Sequence, residues 1–600
     1  MNVTIQGGEA WIFAQVDDFW ERYQPLTPWG KDEAEARIIF SDREVLERRY
    51  DDIDSAIGFM RALAGDPSSL DRVSYHLKRM PRMTLEPKGS YELIELFQIK
   101  KFMANYRGVR TALGDAVAGA FGLAPFEPGS AAQTLAAALD QGGSDPETFY
   151  LADSYDGELA EARAGLAAAD AVVVSERAKA EAEARLSFGV SFDGREFVVA
   201  PKDSARAMLA SCGNSGEAQA GRYAVEPYDD ARYIVRLLPS PSAVEALADR
   251  ERWLAAERLA EERVVARLSA LAMAAMPELA LAVAATACWD RARAGADLTL
   301  RLGMVRPLLE SDDTRLAQAR FTPCADECER MGLSYSPLNA EFRADAVVLF
   351  GSNMGGKTVV LKTILFFQLV AQAGLFVPAQ RFETRVYDRI EYVGELSGER
   401  LAGLSGFGLE VWRLIAASAS AAAWAADGAC GTGRGALVAF DELARTTGSH
   451  EAEALLSAVV EAYAGGRNRA PGNSVDGNGA DKAGGFRTSD RAFFATHFRG
   501  VARLPGAEYR RMRGLDRAAT EAALNPVAGS EPEGSIALAA CGDGPALAER
   551  LAGINRHMRY EVVDDDGSGS ESDALAIASL LGLDRNIVDR ARYYLTKDGA

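Results

Sequence analysis

The sequence has few histidines and cysteines for its length. Four histidines and six cysteines are spread over 600 residues. Only Cys324 and Cys328 lie close together, and they have no second Cys or His pair nearby, so a zinc site is not expected. Dispersed cysteines in a long chain suit a reducing compartment. We therefore expect a cytoplasmic protein.

The sequence also lacks a long uninterrupted apolar run. No stretch approaches the ~18 consecutive apolar residues of a membrane-spanning helix. The first residues, Met1 to Gln6, do not have the basic-then-apolar layout of a secretory signal peptide. These two absences predict a protein without a membrane partner.

A surplus of positive charge is missing as well. The chain has 66 basic and 86 acidic residues, which gives a formal net charge of −20. Proteins that grip nucleic-acid phosphates usually carry a basic surplus, at least locally. The acidic balance therefore argues against DNA binding without excluding a local basic channel. The hydrophobic content of 48% is that of an ordinary globular protein.

The spacing of apolar residues predicts a multidomain protein that combines helical and α/β parts. Residues 1–156 have helical periodicity, and a long helix is expected from Gly157 to Arg185. A second long helix is expected from Ser242 to about Met276, since Pro277 follows. Between them, residues 187–238 have strand patterns, including a hairpin around Asp193-Gly194. We predict two lever helices (157–285) with a β-rich tip, and a return to the helical core over residues 286–319.

The most informative motif is a phosphate-binding loop. The segment Gly351-Ser-Asn353-Met354-Gly355-Gly356-Lys357-Thr358 fits G-x-x-x-x-G-K-[ST] at every fixed position. An apolar strand precedes it and a helical pattern follows it. That layout directs backbone N–H groups and a helix N-terminus at one point. Lys357 can then reach the β- and γ-phosphates of ATP, and the Thr358 hydroxyl can hold Mg²⁺.

Two later segments supply the other groups that an ATPase needs. The apolar run Ala436–Phe440 ends in Asp441-Glu442, where one carboxylate can hold Mg²⁺ and the next can polarise the attacking water. We assign Asp441 to the metal and Glu442 to the general base. A further apolar run ends in Thr496-His497, and a histidine there can contact the γ-phosphate or sense its loss.

These motifs together resemble the MutS family of ATPases. The phosphate loop resembles G-P-N-M-G-G-K-[ST], and the segment from Asp441 to Ser449 is similar to D-E-[IL]-G-R-G-T-S-T. Thr496-His497 and Val377-Pro378-Ala379 also match. The segment Gly403–Glu410 resembles G-R-S-T-F-x-x-E, in which the serine, here Ser405, reaches the γ-phosphate held by a partner subunit.

The resemblance implies an ABC-class P-loop ATPase domain over residues 320–600 that uses ATP and Mg²⁺. It also implies a homodimer or a MutS-like heterodimer. Residues 572–595 resemble the dimerising helices of that family, whereas residues 464–490 have the composition of a disordered insertion. The adenine platform is expected among Phe321, Leu333 and Tyr335.

The sequence departs from the family pattern at several positions. Ser352 replaces a proline, and Ala444 and Thr446 replace glycines after the carboxylates, which can slow turnover. Phe19-Trp20-Glu21 matches the F-x-E wedge of mismatch-recognising members, but core-like sequence follows at once. We interpret Phe19 as a packing residue and expect no mismatch-recognition domain.

The tip and the overall charge do not identify the client, meaning the molecule on which the arms act. Between residues 187 and 238 there are six basic and seven acidic residues. One hypothesis is a dimeric ATPase that closes its arms on DNA and is reset by hydrolysis. A second is a MutS-like ATPase that remodels a protein client, as components that reactivate cobalamin-dependent aminomutases do. A third is a scaffold that binds ATP without useful turnover.

Overall fold

The computed structural model describes most of the chain, in fourteen stretches. These are residues 8–62, 67–145, 147–213, 222–351, 355–395, 408, 410–415, 435–445, 447–464, 489–516, 557–565, 567, 574–580 and 583–597. The chain divides into two compact units, one formed by Met1–Leu70 with Ala287–Ala600 and the other by Asp71–Thr286. Most of the predicted insertion at 464–490 lies outside the described residues. The fold is mixed helical and α/β, as the sequence predicts.

The helices are given in chain order. They are α1 (Glu9–Phe13), α2 (Val16–Trp20), α3 (Pro28–Ala36), α4 (Arg43–Ala62), α5 (Pro67–Lys78), α6 (Leu93–Leu113), α7 (Asp115–Ala120), α8 (Ala131–Leu139), α9 (Gly157–Phe188), α10 (Lys202–Gly213), α11 (Pro241–Leu302), α12 (Thr322–Arg330), α13 (Lys357–Gln372), α14 (Ser449–Ala464), α15 (Ala574–Leu580) and α16 (Arg585–Lys597).

The strands form three sheets. They are β1 (Phe197–Pro201), β2 (Tyr223–Pro227), β3 (Arg232–Leu237), β4 (Thr314–Ala319), β5 (Leu338–Phe342), β6 (Ala346–Phe350), β7 (Arg381–Glu383), β8 (Arg389–Val393), β9 (Ala436–Asp441), β10 (Arg491–Thr496), β11 (Ala507–Leu515) and β12 (Met558–Asp564). The sheet orders are β1-β3-β2, β5-β4-β7 and β12-β11-β6-β10-β9-β8.

The second unit, residues 71–286, contains the two predicted lever helices. They approach closely at Gly165, where an added Cβ would lie 2.3 Å from the Trp253 ring, so no larger residue fits there without a shift. Arg163 on α9 donates to Glu257 and Glu261 on α11 at 2.8 and 2.9 Å. The small sheet β1-β3-β2 packs with α10 around a separate apolar core that includes Phe192 and Val235.

Two predictions in this unit are wrong. The second lever helix does not end at Met276 but continues through Pro277 to Leu302. Proline removes one helical hydrogen bond, but Ala275, Met276 and Leu279 beside it are almost fully buried, and this packing holds the helix together. The predicted hairpin around Asp193-Gly194 is also absent, because β1 pairs instead with β3, more than thirty residues later.

The first unit is built around the six-stranded sheet. Strands β8, β9, β10, β6 and β11 are mutually parallel, and β12 pairs antiparallel at one edge. Residues 346–350 of β6 and 436–440 of β9 are nearly all buried, as strands covered on both faces must be. Helix α14 covers one face through a core that includes Leu456, Val460 and Phe494.

The N-terminal segment packs against the helix that follows the phosphate loop. Phe19 is fully buried, and its ring meets that of Phe366 on α13 edge to face at 5.2 Å. The Tyr50 hydroxyl donates to the carbonyl of Ala371 at the end of the same helix at 2.7 Å. These contacts confirm the interpretation of Phe19 as a packing residue.

One described helix has the length and composition of a membrane span. The most apolar window of α11 has a mean hydropathy of 1.8, and 44% of it is buried inside the protein. The core helix of a soluble protein has the same properties. The helix is therefore a weak indication of membrane insertion.

Candidate active site

The predicted catalytic residues meet at one edge of the six-stranded sheet. Strands β6, β10 and β9 are adjacent and parallel, so their carboxyl ends lie side by side. The phosphate loop follows β6, Asp441 ends β9, and His497 follows β10. Ligands of open α/β sheets bind at this edge. The sheet order therefore brings together groups that are up to about 150 residues apart in the sequence.

The described residues of the predicted phosphate loop form a glycine turn that leads directly into helix α13. Gly356 has a φ of 89°, a left-handed conformation that favours glycine, and it caps the N-terminus of α13. The Lys357 ammonium donates to the Gly351 carbonyl at 2.8 Å, and its side chain is almost fully buried. Burial lowers the pKa of Lys357, and Glu442 and Asp441 oppose that shift. Asn353 and Met354 lie outside the described residues.

The two predicted metal-holding groups are in contact. The Thr358 hydroxyl donates to Asp441 Oδ1 at 3.2 Å. Burial raises the pKa of Asp441, while the Thr358 hydrogen bond and two lysines lower it. A hydroxyl and a carboxylate side by side are the oxygen donors that Mg²⁺ prefers. The donor set therefore fits a magnesium ion bound with a nucleotide.

Glu442 lies between three potentially cationic groups. Its Oε1 is 3.9 Å from Lys357 Nζ and 3.6 Å from His497 Nδ1, and its Oε2 is 3.6 Å from a guanidinium nitrogen of Arg445. These separations are longer than direct hydrogen bonds. A carboxylate at this place, beside the phosphate loop but not tightly bonded, can accept a proton from a water molecule.

The backbone around Glu442 is strained. Glu442 and Ala444 have φ angles of 53° and 64°, although neither is glycine. Such residues pay about 1–2 kcal/mol each for the left-handed conformation. Two hydrogen bonds tie the turn to other parts of the chain: the Glu442 amide donates to Ala495 O at 2.9 Å, and the Ala444 amide donates to Glu410 Oε2 at 2.7 Å. Within the turn, the Arg445 amide donates to Glu442 O at 3.2 Å. Strain at functional positions persists only where the surroundings enforce it.

Sequence reasoning missed Tyr560 and Met512, which lie against the phosphate loop. A Cβ added to Gly356 would lie 3.1 Å from the Tyr560 ring, and one added to Gly351 would lie 3.2 Å from Met512. Both residues come from the β11–β12 edge of the sheet. No local motif marks them, because that edge is placed beside the loop by long-range strand pairing.

Two of the residues predicted for the adenine platform, Phe321 and Tyr335, contact each other through a hydrogen bond, and Phe321 lies in the core. Phe321 is almost fully buried, and its ring packs against Phe366 at 5.4 Å. The Tyr335 hydroxyl accepts a hydrogen bond from the Phe321 amide at 2.8 Å. The Phe321 ring is therefore a core group, whereas Tyr560 presents a half-buried ring at the loop.

Ser405 and Thr446 lie outside the described residues, so the predicted cross-subunit contact stays a prediction. The roles assigned to the described residues also stay predictions, although the structure places them close together. Ala444 adopts the left-handed backbone that glycine favours, at a position where the motif it resembles has glycine.

Comparisons with known proteins point to the same part of the chain. Residues 347–470 match the family model of MutS domain V. The chain is 28% identical to the DNA mismatch repair protein MutS of Thermus aquaticus over 245 residues, which cover 38% of this chain and 28% of that protein. It is 28% identical to the endonuclease MutS2 of Lacticaseibacillus paracasei over 229 residues, which cover 38% and 27%. It is 33% identical to the endonuclease MutS2 of Thermomicrobium roseum over 269 residues, which cover 40% of this chain and 32% of that protein.

These matches support a MutS-family protein. The matched part of the chain spans about a third or less of the length of these relatives. They therefore support a MutS-like function at the level of the family.

Proposed function

We propose that the protein is a Mg²⁺-dependent ATP hydrolase of the MutS family. The observation that carries this proposal is the meeting of Lys357, Thr358, Asp441, Glu442 and His497 at the carboxyl ends of three adjacent strands. The match of residues 347–470 to MutS domain V also supports it.

Each group has a role that follows from its place. Lys357 and the amides at the start of α13 bind the β- and γ-phosphates. Thr358 and Asp441 hold Mg²⁺, which neutralises charge that develops on the phosphates. Glu442 takes a proton from the attacking water, and His497, 3.6 Å away, contacts the γ-phosphate side of the site. The half-buried Tyr560 ring lies against Gly356, so we propose that it contacts the bound nucleotide.

The binding role of Lys357 can be tested by substitution. Lys357→Ala should weaken ATP binding or hydrolysis about a hundredfold or more, because the phosphates lose a buried cation. Lys100→Ala is the matched control, since Lys100 is also buried and also donates to backbone carbonyls, in the other unit. Titration with a fluorescent ATP analogue measures nucleotide binding in both variants. Unchanged binding in the Lys357 variant would contradict the proposal.

We further propose that the active enzyme is a dimer with composite sites. The described part of α16 and the residues before it expose an apolar stripe formed by Leu583, Ile587 and Tyr594, which are 43–55% accessible. Ile587 and Tyr594 are seven residues apart, which places them on the same face of α16, and Leu583 lies just before that helix. Mixing inactive Lys357→Ala and Ser405→Ala chains should restore some hydrolysis. Mixed dimers without any recovery would argue against shared sites.

For the client, we propose DNA as the first candidate and a protein as the second. DNA follows from the name of the Thermus aquaticus relative. The charges of the lever region favour a protein: residues 157–285 contain fifteen basic and twenty acidic residues. Several of the basic ones already pair with carboxylates, including Arg163, Arg177, Arg222, Arg232 and Arg250. DNA phosphates would have to compete with those partners.

Salt dependence separates the two clients. If DNA is bound, its stimulation of ATP hydrolysis should fall steeply between low and moderate salt, following counterion release. We expect weak binding and no preference for a mismatch. A mismatch preference of about tenfold, or 1.4 kcal/mol, would contradict that expectation. Indifference to every DNA form, with stimulation by a protein partner, would establish the second candidate.

A further inference from the structure

The turn that follows Glu442 is hydrogen-bonded to one buried carboxylate outside the motifs for phosphate and metal. Glu410 is 8% exposed, and its Oε2 accepts the Ala444 amide at 2.7 Å. Glu410 ends the segment Gly403–Glu410, in which the sequence places Ser405. Its partner Ala444 is fully buried and lies two residues after Glu442.

The same turn is fixed at its other end by the sheet. The Glu442 amide donates to Ala495 O, on the strand that leads to His497. Between these two anchors the chain passes through Glu442 and Ala444 at positive φ, with no glycine to make that conformation easy. Releasing one anchor would let the backbone relax toward the ordinary region, and the Glu442 carboxylate would turn with it.

We propose that Glu410 is the positioning residue for Glu442, and that the alanine at position 444 makes this support necessary. This inference rests on the ATPase function proposed above. Glu410 holds the Ala444 amide, the held amide fixes the left-handed turn, and the turn aims Glu442 toward the phosphate loop. A glycine at position 444 would adopt the same turn with less need of Glu410.

The proposal predicts a suppressor relationship between two residues. Glu410→Ala should lower kcat between about tenfold and a hundredfold, because a displacement near 1 Å of a reacting group has an effect of that size. The KM for ATP should stay within about twofold, since the groups that touch phosphate and metal are unchanged. Glu410→Gln, which keeps an oxygen acceptor without the charge, should lose less.

Adding Ala444→Gly to Glu410→Ala should restore most of the lost kcat. A merely structural role for Glu410 predicts no such rescue, because glycine at 444 replaces none of its packing. The matched control is Asp490→Ala. Asp490 is also a buried carboxylate that accepts a backbone amide at 2.7 Å, that of Ala436, but at the opposite end of β9. Its loss should lower stability and leave kcat unchanged.

Amide hydrogen exchange gives a readout that does not depend on catalysis. The peptide that spans residues 442–447 should exchange faster in Glu410→Ala than in the wild type. If the wild-type protein does not hydrolyse ATP, the proposed function is wrong, and hydrogen exchange still tests the contact between Glu410 and Ala444. Three results would overturn the inference itself: unchanged exchange in Glu410→Ala, a loss of kcat that Ala444→Gly does not relieve, or an equal loss in Asp490→Ala.

Discussion

The six-stranded sheet holds charged groups by short hydrogen bonds at the amino ends of its strands and at longer separations at the carboxyl ends. At the amino ends, Arg491 is fully buried and donates to Thr314 Oγ1 and Asp312 O at 2.8 and 2.6 Å, and Asp490 accepts the Ala436 amide at 2.7 Å. At the carboxyl ends, Glu442 has Lys357, Arg445 and His497 at 3.6–3.9 Å and sits on a strained turn. The same strands, β9 and β10, carry both arrangements.

This difference separates stability from function within one element. Tight, buried hydrogen bonds to charged groups contribute to holding the sheet together, and removing one partner leaves the other unsatisfied. The looser groups at the other end leave room and hydrogen-bonding capacity for phosphate, metal and water. We therefore expect substitutions at the amino ends to change the unfolding temperature, and substitutions at the carboxyl ends to change turnover.

The largest expected effect on stability is at Arg491. Arg491→Leu should lower the free energy of unfolding by about 3 kcal/mol, because Thr314 Oγ1 and the Asp312 carbonyl lose their donor and Asp345 loses one of its two arginine neighbours. Thermal unfolding measures the change. Arg513→Leu is the control, since Arg513 forms an exposed pair with Glu561 at 2.7 Å and should matter by no more than about 1 kcal/mol. Equal losses of stability in Arg491→Leu and Arg513→Leu would contradict a structural role for the buried arginine at the amino ends of the strands.

A smaller effect, on a different quantity, is expected at His497. His497→Gln should lower kcat by about tenfold or more if the ring contacts the γ-phosphate side of the site, as the proposed function requires. Its unfolding temperature should hardly move, since the ring is partly exposed and its nearest charged partner is 3.6 Å away. His450→Gln, in an exposed position at the start of α14, should change neither quantity. A large loss of stability at His497 would show that it belongs with the structural groups.

The smallest expected effect is at Ala444. In the wild-type background, Ala444→Gly should raise the free energy of unfolding by at most about 1 kcal/mol, because relief of the positive φ is partly offset by the greater freedom of glycine in the unfolded chain. Denaturant unfolding can resolve that difference. A loss of more than about 1 kcal/mol would mean that the alanine methyl group contributes packing that outweighs the strain.

The sequence predicts the elements around the site well, because their signals are local. The strand Ala346–Phe350 and a helix predicted from Thr358, observed from Lys357, follow from an apolar run, a glycine bend and a helical period. Asp441 and His497 follow in the same way from the ends of apolar runs. The sequence fails where pairing is distant: Tyr560 reaches the loop through β12, and β1 pairs with β3 rather than with the residues next to it. Pro277 misleads because tertiary packing outweighs a local helix breaker.

The most direct test of the whole account is a single-turnover experiment on Glu442→Gln with radiolabelled ATP and Mg²⁺. The account predicts that this variant binds ATP as the wild type does, but cleaves it at least about a hundredfold more slowly, because only the proton acceptor is lost. The measurement compares label retained as ATP with label released as phosphate over time. Wild-type cleavage by the Glu442 variant, with normal binding, would contradict the assignment of the site.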